Sequence, residues 1–267
     1  MISGETSVYG ILGHPVAHTL SPAMHNAAFR HLGINAVYVP FAVQNLAQAV
    51  QGLRGLNIRG ASITIPFKEE IISLLDEVDL QARVIGAVNT VINHDGRLWG
   101  TNTDWQGALA ALEEHTEVAG RHVLVLGAGG AGRAIVFALR QAGAQVTLVD
   151  LEENKARSLA LEFGAVCVTL DKAVLSPAEI LINATPVGMA PQDKVIPLPP
   201  DNLKQFEIVM DIVYEPRQTR LLTEAAARGC RGINGLQMLV HQGARQFELF
   251  TGHPAPLEIM RQAALFD

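Results

Sequence analysis

Short apolar runs alternate with segments of helical period along the whole chain. Continuous or alternating apolar stretches predict strands over residues 8–12, 37–41, 61–65, 123–126, 145–149, 166–169, 180–183, 208–211 and 231–234. Apolar positions three and four apart predict helices over 22–32, 46–56, 69–78, 107–114, 132–141, 155–163, 219–228, 236–250 and 257–266. In the first helix Met24, Ala27, Ala28 and Leu32 form the apolar stripe. Residues 88–92 and 97–100, parted by His94-Asp95-Gly96, read as a hairpin, because Asp-Gly suits a primed turn. Residues 186–200 carry five of the 13 prolines and read as a long loop.

Strands alternating with helices define an α/β class, with parallel sheets covered by helices on both faces. The register changes after Asp104, where the helix over 107–114 links two expected domains. One comprises residues 1–105 with 236–267, the closing helices returning to it; the other spans 106–235. The second is expected to be a Rossmann-type, doubly wound dinucleotide-binding domain. The first is expected to be an α/β substrate domain with a mainly parallel sheet, the active-site cleft lying between the two.

Composition narrows the function classes. With 49% hydrophobic and 17% charged residues in 267, against about 25% charged in average chains, the protein has ample core and is not globally disordered. The net charge of −6 has the wrong sign for coating a nucleic-acid backbone. Two cysteines, Cys167 and Cys230, form no C-x-x-C pair and no disulfide framework. No apolar run reaches the roughly 18 residues of a membrane span, and the first Lys or Arg is Arg30, so the charged n-region of a secretory signal is not expected here. The expectation is a reduced, cytoplasmic protein. His14 and His18 flank Pro15 without an acid or Cys cluster, so no metal site is expected.

Gly127-Ala128-Gly129-Gly130-Ala131-Gly132 is G-x-G-x-x-G, directly after an apolar strand and directly opening a helix. That context makes the motif far more specific than the pattern alone. The first Gly permits a tight turn, the second a close approach of pyrophosphate, and the third close packing of helix on strand. Free N–H groups and the dipole at the helix start attract phosphate. The next strand ends at Asp150, 18 residues beyond Gly132, where an acid hydrogen-bonds the adenosine ribose and repels a 2′-phosphate. Glu152 and Glu153 add negative charge, and no Arg or Lys precedes Lys155. NAD is therefore expected as cofactor, with NADP the alternative; a simple helix-capping role for Asp150 competes with both.

Outside this loop the candidate groups are scattered. Thr19-Leu20-Ser21-Pro22 reads as a helix opening, with two hydroxyls and free N–H donors suited to a carboxylate, or as plain capping. Ser62 and Thr64 share one face of a strand by alternation, with Ile63 and Ile65 on the other. Lys68 follows Pro66-Phe67 at the end of that apolar run, a partly desolvated place for proton transfer, or a plain surface site. Residues 86–90 and 100–105 set polar groups among small residues.

Taken together these segments stand in the order of one family. They are Ile11-Leu12-Gly13-His14-Pro15 with Ser21-Pro22, Thr64-Ile65-Pro66-Phe67-Lys68, residues 86–90 and Asn102-Thr103-Asp104. The glycine loop, Asn183-Ala184-Thr185-Pro186-Val187-Gly188-Met189, Asp211-Ile212-Val213-Tyr214 and residues 235–242 complete the set. The sequence resembles the shikimate dehydrogenases over nearly its whole length. The resemblance implies an oxidoreductase interconverting shikimate and 3-dehydroshikimate with a nicotinamide cofactor. It implies that Thr19 and Ser21 hold the substrate carboxylate, that Thr64, Asn89, Asp104 and Gln242 bind ring hydroxyls, and that Tyr214 lies on the substrate side. It also makes Lys68 the general acid/base, paired with Asp104, and sets Ile212 and Gly235 beside the nicotinamide.

Three departures from the family pattern stand out. Thr19 replaces a Ser, adding a methyl group. Ser62 stands where biosynthetic members often carry Asn, which would free space for a bulkier ring such as quinate. Asp150-Leu151-Glu152 replaces the Asn-Arg-Thr type of sequence that grips the NADP 2′-phosphate. An NAD-dependent quinate or dual-specificity dehydrogenase is therefore the alternative activity, and a non-catalytic NAD(H)-binding sensor the alternative of a different class. Small-molecule substrate, no nucleic acid, no membrane and a homodimer complete the expectations.

Overall fold

The structure is a computed structural model that describes residues 2–173 and 177–266. The chain divides into two units, one of residues 1–107 with 240–267, the other of residues 108–239.

The first unit is built on β1 (Ser7–Gly13), α1 (Ser21–Leu32), β2 (Ala36–Ala42), α2 (Leu46–Gly55) and β3 (Gly60–Ile63). It continues through β4 (Glu77–Val78), α3 (Leu80–Ile85), β5 (Thr90–His94) and β6 (Arg97–Thr101). Its sheet runs β2-β1-β3-β5-β6-β4. β1 pairs with β2 and β3 in parallel and β4 with β6 in parallel, whereas β5 is antiparallel to both neighbours. The sheet is thus mixed but mainly parallel, with β5 running against the other strands, because a two-residue turn, and not a crossover helix, joins β5 to β6. That turn, Asp95-Gly96, has both φ angles positive (51° and 91°), as a primed turn requires.

The largest departure from the sequence pattern falls on residues 69–78, expected as one helix. The chain makes a short 3₁₀ turn (Glu70–Leu74), then edge strand β4, then α3. Asp76 explains the break: its N–H donates to the Leu98 carbonyl at 3.1 Å, and its carboxylate accepts from Leu98 N at 2.7 Å and Arg54 at 2.5 Å. These bonds tie the backbone to β6. Asp79 then caps α3 by accepting from Ala82 N at 2.6 Å, and Gly86 ends it in the left-handed conformation.

In the second unit β7 (His122–Leu126), α5 (Gly130–Gln141), β8 (Gln145–Val149), α6 (Glu153–Phe163) and β9 (Val166–Cys167) form one half. α7 (Leu170–Ala173), β10 (Ile180–Asn183), β11 (Ile208–Asp211), α8 (Arg220–Ala226) and β12 (Arg231–Asn234) form the other. All strands are parallel, in the order β12-β11-β10-β7-β8-β9. This is a doubly wound sheet whose order reverses at β7, the place where such sheets bind ligands. Its strands are buried on both faces, Leu124, Val125, Ile180, Leu181, Ile182, Val209 and Met210 being wholly inaccessible. α4 (Asp104–Glu113) and α9 (Gly235–Thr251) each begin in one unit and end in the other, and α10 (Leu257–Phe266) packs on α1. None of the described helices is long and apolar enough to cross a membrane.

At the end of β11 the Asp211 carboxylate is wholly buried and accepts from Thr219 Oγ1 (2.7 Å), Asn183 Nδ2 (2.9 Å) and Val213 N (3.1 Å). Burial nevertheless dominates and pushes the Asp211 carboxyl above the usual range. A group that holds its proton more tightly folded than unfolded adds stability at low pH and loses it as pH rises through its folded pKa. Asp211→Asn abolishes that titration. The melting temperature of the variant minus that of the parent should therefore increase from about pH 4 upward, measured by calorimetry; a difference that stays flat contradicts the assignment.

Candidate functional site

In the first unit the side chains converge on Asp104, the first residue of α4. Its Oδ2 accepts from Lys68 Nζ at 2.5 Å, with the two side chains only 16% and 6% exposed. Its Oδ1 accepts from Asn89 Nδ2 at 2.9 Å. Asn89 is a hub: Nδ2 also faces Thr103 Oγ1 (2.9 Å) and Gln242 Oε1 (3.3 Å). Its Oδ1 accepts from Thr90 Oγ1 (2.7 Å) and Thr103 N (2.8 Å). Asn102 Oδ1 takes the Asp104 N–H at 2.9 Å, which fixes where α4 begins. Lys68 is held from behind by its own carbonyl, which accepts from Val88 N at 2.8 Å. A cation and an anion this shielded are costly to desolvate, so the pair is a weak source of stability.

Thr19 and Ser21 sit beside each other at the start of α1, Thr19 Oγ1 donating to Ser21 Oγ at 3.3 Å. The N-cap residue is Leu20, not Thr19, and its side chain makes no capping bond. The Thr19 hydroxyl accepts from the first helical N–H, that of Ser21, at 3.4 Å. β3 ends at Ile63, one residue after Ser62, because Pro66 follows closely and cannot donate to a ladder. The expected alternation thus fails at its end: Ile65 is 57% exposed, while Thr64 is half-buried and lies against the site of Gly13. Ser62 is buried and engaged by protein, accepting from Tyr38 Oη at 2.6 Å and donating to Gln246 Oε1 at 2.7 Å.

In the second unit the three spaced glycines of the loop after β7 each meet a different demand. Gly127 has φ +107°, and a Cβ there would meet the Ala184 carbonyl oxygen at 2.9 Å. A Cβ on Gly132 would collide with the Gly127 carbonyl oxygen. Nothing lies within 4 Å of a Cβ built on Gly129, the N-cap residue of α5. That open approach to the N–H groups at the start of α5 fits a pyrophosphate. Asp150, at the end of β8, accepts from Ala128 N at 2.6 Å and from Glu152 N at 2.8 Å. It braces the glycine loop and does not cap α6, whose N-cap is Glu152. Leu151 is 94% exposed, and Glu152 is exposed beside it. Ile212 continues β11, its N–H donating to the Asn183 carbonyl at 3.1 Å, and Tyr214 is half-buried two residues on. A Cβ on Gly235 would strike the Ile212 carbonyl, so a glycine is needed where α9 leaves β12.

Sequence reasoning missed Tyr38, Thr90, Thr103 and Gln246. Gln246 carried a legible signal, since it lies four residues after Gln242 and both are buried on one face of α9. Thr90 and Thr103 lay within the segments 86–90 and 102–104 without an assigned role, and Tyr38 carried no signal, being an ordinary strand residue.

A doubly wound sheet with this glycine loop at its switch point defines the class, a nicotinamide-dinucleotide-dependent oxidoreductase, once the relatives are considered. Residues 11–91 match the shikimate dehydrogenase substrate binding domain, 109–214 the shikimate / quinate 5-dehydrogenase model, and 235–265 the shikimate 5'-dehydrogenase C-terminal domain. A shikimate dehydrogenase (NADP(+)) of Pyrococcus furiosus is 47% identical over 99% of this chain and 97% of its own length. The crystal structure of Thermus thermophilus shikimate 5-dehydrogenase in complex with NADP(H) and shikimate is 42% identical. It superposes with a TM-score of 0.90 over 97% of this chain and 99% of that one. Shikimate 5-dehydrogenase of Listeria monocytogenes, in complex with shikimate and NAD, is 34% identical, with a TM-score of 0.85 over 98% and 97% of the two chains. The chain belongs to the shikimate dehydrogenase family.

The glycine geometry separates packing from ligand approach. Gly132→Ala should lose about 1–3 kcal/mol in urea unfolding, because backbone must move. Gly129→Ala should stay within about 0.5 kcal/mol of the parent. Equal losses in the two variants would contradict the division of labour.

Proposed function

We propose that this chain interconverts shikimate and 3-dehydroshikimate, with Lys68 as general acid/base and Asp104 as its partner. The observation that carries the reading is the shielded Lys68–Asp104 pair at 2.5 Å, with Asn89 holding the second carboxylate oxygen. Hydride leaves a carbinol carbon only as its hydroxyl proton departs, so a base within hydrogen-bond reach is required. In oxidation Lys68 Nζ, as the amine, takes that proton; in reduction the ammonium returns it to the forming alkoxide. Asp104 orients the nitrogen, and Asn89 prevents the carboxylate from turning away. The dinucleotide supplies the two-electron hydride acceptor or donor.

Thr19 and Ser21, whose hydroxyls lie together at the start of α1, are assigned to the substrate carboxylate; Thr64, Asn89, Asp104 and Gln242 are assigned to ring hydroxyls. Ser62 is not assigned to substrate, since Tyr38 and Gln246 already engage its hydroxyl. The Ser62 hydroxyl faces the Gln246 amide oxygen, to which it donates. This favours shikimate over quinate. A sensor without catalysis would have no use for the shielded Lys–Asp pair.

For the cofactor, Gly127, Ala128, Gly129, Gly130, Ala131 and Gly132 are assigned to the pyrophosphate, Asp150 to the adenosine ribose, and Ile212 and Gly235 to the nicotinamide end. NAD is proposed as the preferred form, although the Pyrococcus relative is named for NADP(+). Asp150, Glu152 and Glu153 place negative charge where a 2′-phosphate would lie, and Leu151 offers no cation. The guanidinium next along the loop, Arg133, is engaged by Glu162 at 2.8 Å.

Lys68→Ala should lower kcat by about 10²-fold or more with a smaller change in KM; near-parental kcat removes Lys68 from the mechanism. Steady-state rates of shikimate and quinate oxidation with NAD and with NADP test specificity. Shikimate with NAD should give the highest kcat/KM. A higher kcat/KM with NADP overturns the cofactor preference, and quinate turned over tenfold better overturns the substrate.

A further inference from the structure

A single chain of hydrogen bonds runs through the first unit and ends on the carboxylate that partners Lys68. Tyr38 Oη donates to Ser62 Oγ (2.6 Å), and Ser62 Oγ donates to Gln246 Oε1 (2.7 Å). Gln246 Nε2 donates to Thr90 Oγ1 (3.0 Å), which donates to Asn89 Oδ1 (2.7 Å). Asn89 Nδ2 then donates to Asp104 Oδ1 (2.9 Å). Every step points the same way. Tyr38, Thr90, Asn89 and Gln246 are each 1% exposed or less, and Ser62 4%, so water cannot replace a lost partner.

The direction of this chain fixes which way two amides face. An amide can present either its oxygen or its nitrogen to a neighbour, and only its partners decide. Gln246 Nε2 spends its second hydrogen on the Asn89 backbone carbonyl at 3.0 Å, an oxygen that also accepts from Ile63 N at 2.7 Å. With both its hydrogens used on acceptors, Gln246 obliges Thr90 to donate onward. That donation, with the Thr103 N–H, turns the Asn89 oxygen away from Asp104 and its nitrogen toward it. Were Asn89 reversed, two oxygens would face each other and the Asp104 carboxylate would swing, carrying Lys68 with it.

We infer that Gln246, acting through Thr90, is a positioning residue that locks the Asn89 amide and thereby aims the Asp104–Lys68 pair at the reacting hydroxyl. The inference rests on shikimate turnover by that pair. It adds two residues, neither hydrogen-bonded to Lys68, whose loss alters catalysis more than binding.

The test is a double-mutant cycle on kcat/KM for shikimate, with Gln246→Met and Thr90→Val as near-isosteric variants lacking the hydrogen bonds. Each single variant should lose on the order of tenfold to a hundredfold, mainly in kcat. The double variant should lose no more than the worse single one, since both break the same chain. Thr90→Ser, which keeps the hydroxyl, should recover most of what Thr90→Val loses. Melting temperatures are read in parallel, and the Thr90 pair of variants carries the test if Gln246→Met fails to fold. Additive losses, losses confined to KM, or a Thr90→Ser as impaired as Thr90→Val overturn the relay while leaving shikimate turnover standing. A parent chain that oxidises no shikimate with either dinucleotide overturns the proposed function and the relay with it.

Discussion

The structure turns on one carboxylate. Asp104 opens α4, is almost wholly buried, and divides its two oxygens between Lys68 and Asn89. A buried anion survives only when its lone pairs are met, and here they are met by a cation on one side and an oriented amide on the other. The rest of the first unit can be understood as the means of keeping both in place. Pro66 ends β3 early enough to bring Lys68 round. The β5–β6 hairpin carries Thr90 on one strand and leads to Asn102, Thr103 and Asp104 from the other. α9 returns with Gln242 and Gln246 one turn apart.

A second, apolar frame surrounds this polar one. Beneath the relay, His25 stacks on Tyr38 at 4.3 Å between rings and is ringed by Phe29, Phe247 and Phe250. Burial drives its pKa down to about 3, so the imidazole stays neutral and behaves as one more flat ring in the cluster. The polar chain is thus clamped between strands and a rigid aromatic layer, which limits the motion available to Tyr38 and Gln246. In the second unit the division is simpler: apolar parallel strands make the sheet, and ligand chemistry is confined to the loops at their carboxyl ends.

The doubly wound unit was legible in the sequence because parallel strands buried on both faces are short apolar runs, and helices between them keep a 3.6 period. The glycine loop was legible for a stronger reason, since Gly127 and Gly132 answer steric demands that a side chain could not meet, and Gly129 leaves the start of α5 open. Residues 69–78 misled because Asp76 looks like any exposed helical acid until β6 is beside it. The mainly parallel reading of the first sheet held, β5 of the hairpin being the strand that runs against the rest. At the site, Lys68, Asn89 and Asp104 were legible as members of motifs. Tyr38 was not, and Thr90 and Gln246 were legible only as a motif neighbour and a helix-spaced polar residue, because a buried polar side chain declares its role only through partners that the fold brings to it. Ser62 shows the same limit: read alone it suggested free space, whereas its hydroxyl is engaged by Gln246, 184 residues later.

The most direct test of the account is a crystal structure of the chain with shikimate bound. The carboxylate should lie on the Thr19 and Ser21 hydroxyls, with one ring hydroxyl within about 3 Å of both Lys68 Nζ and the Asp104 carboxylate. Shikimate bound away from these groups, or Lys68 parted from Asp104 and turned from the ring, would contradict it.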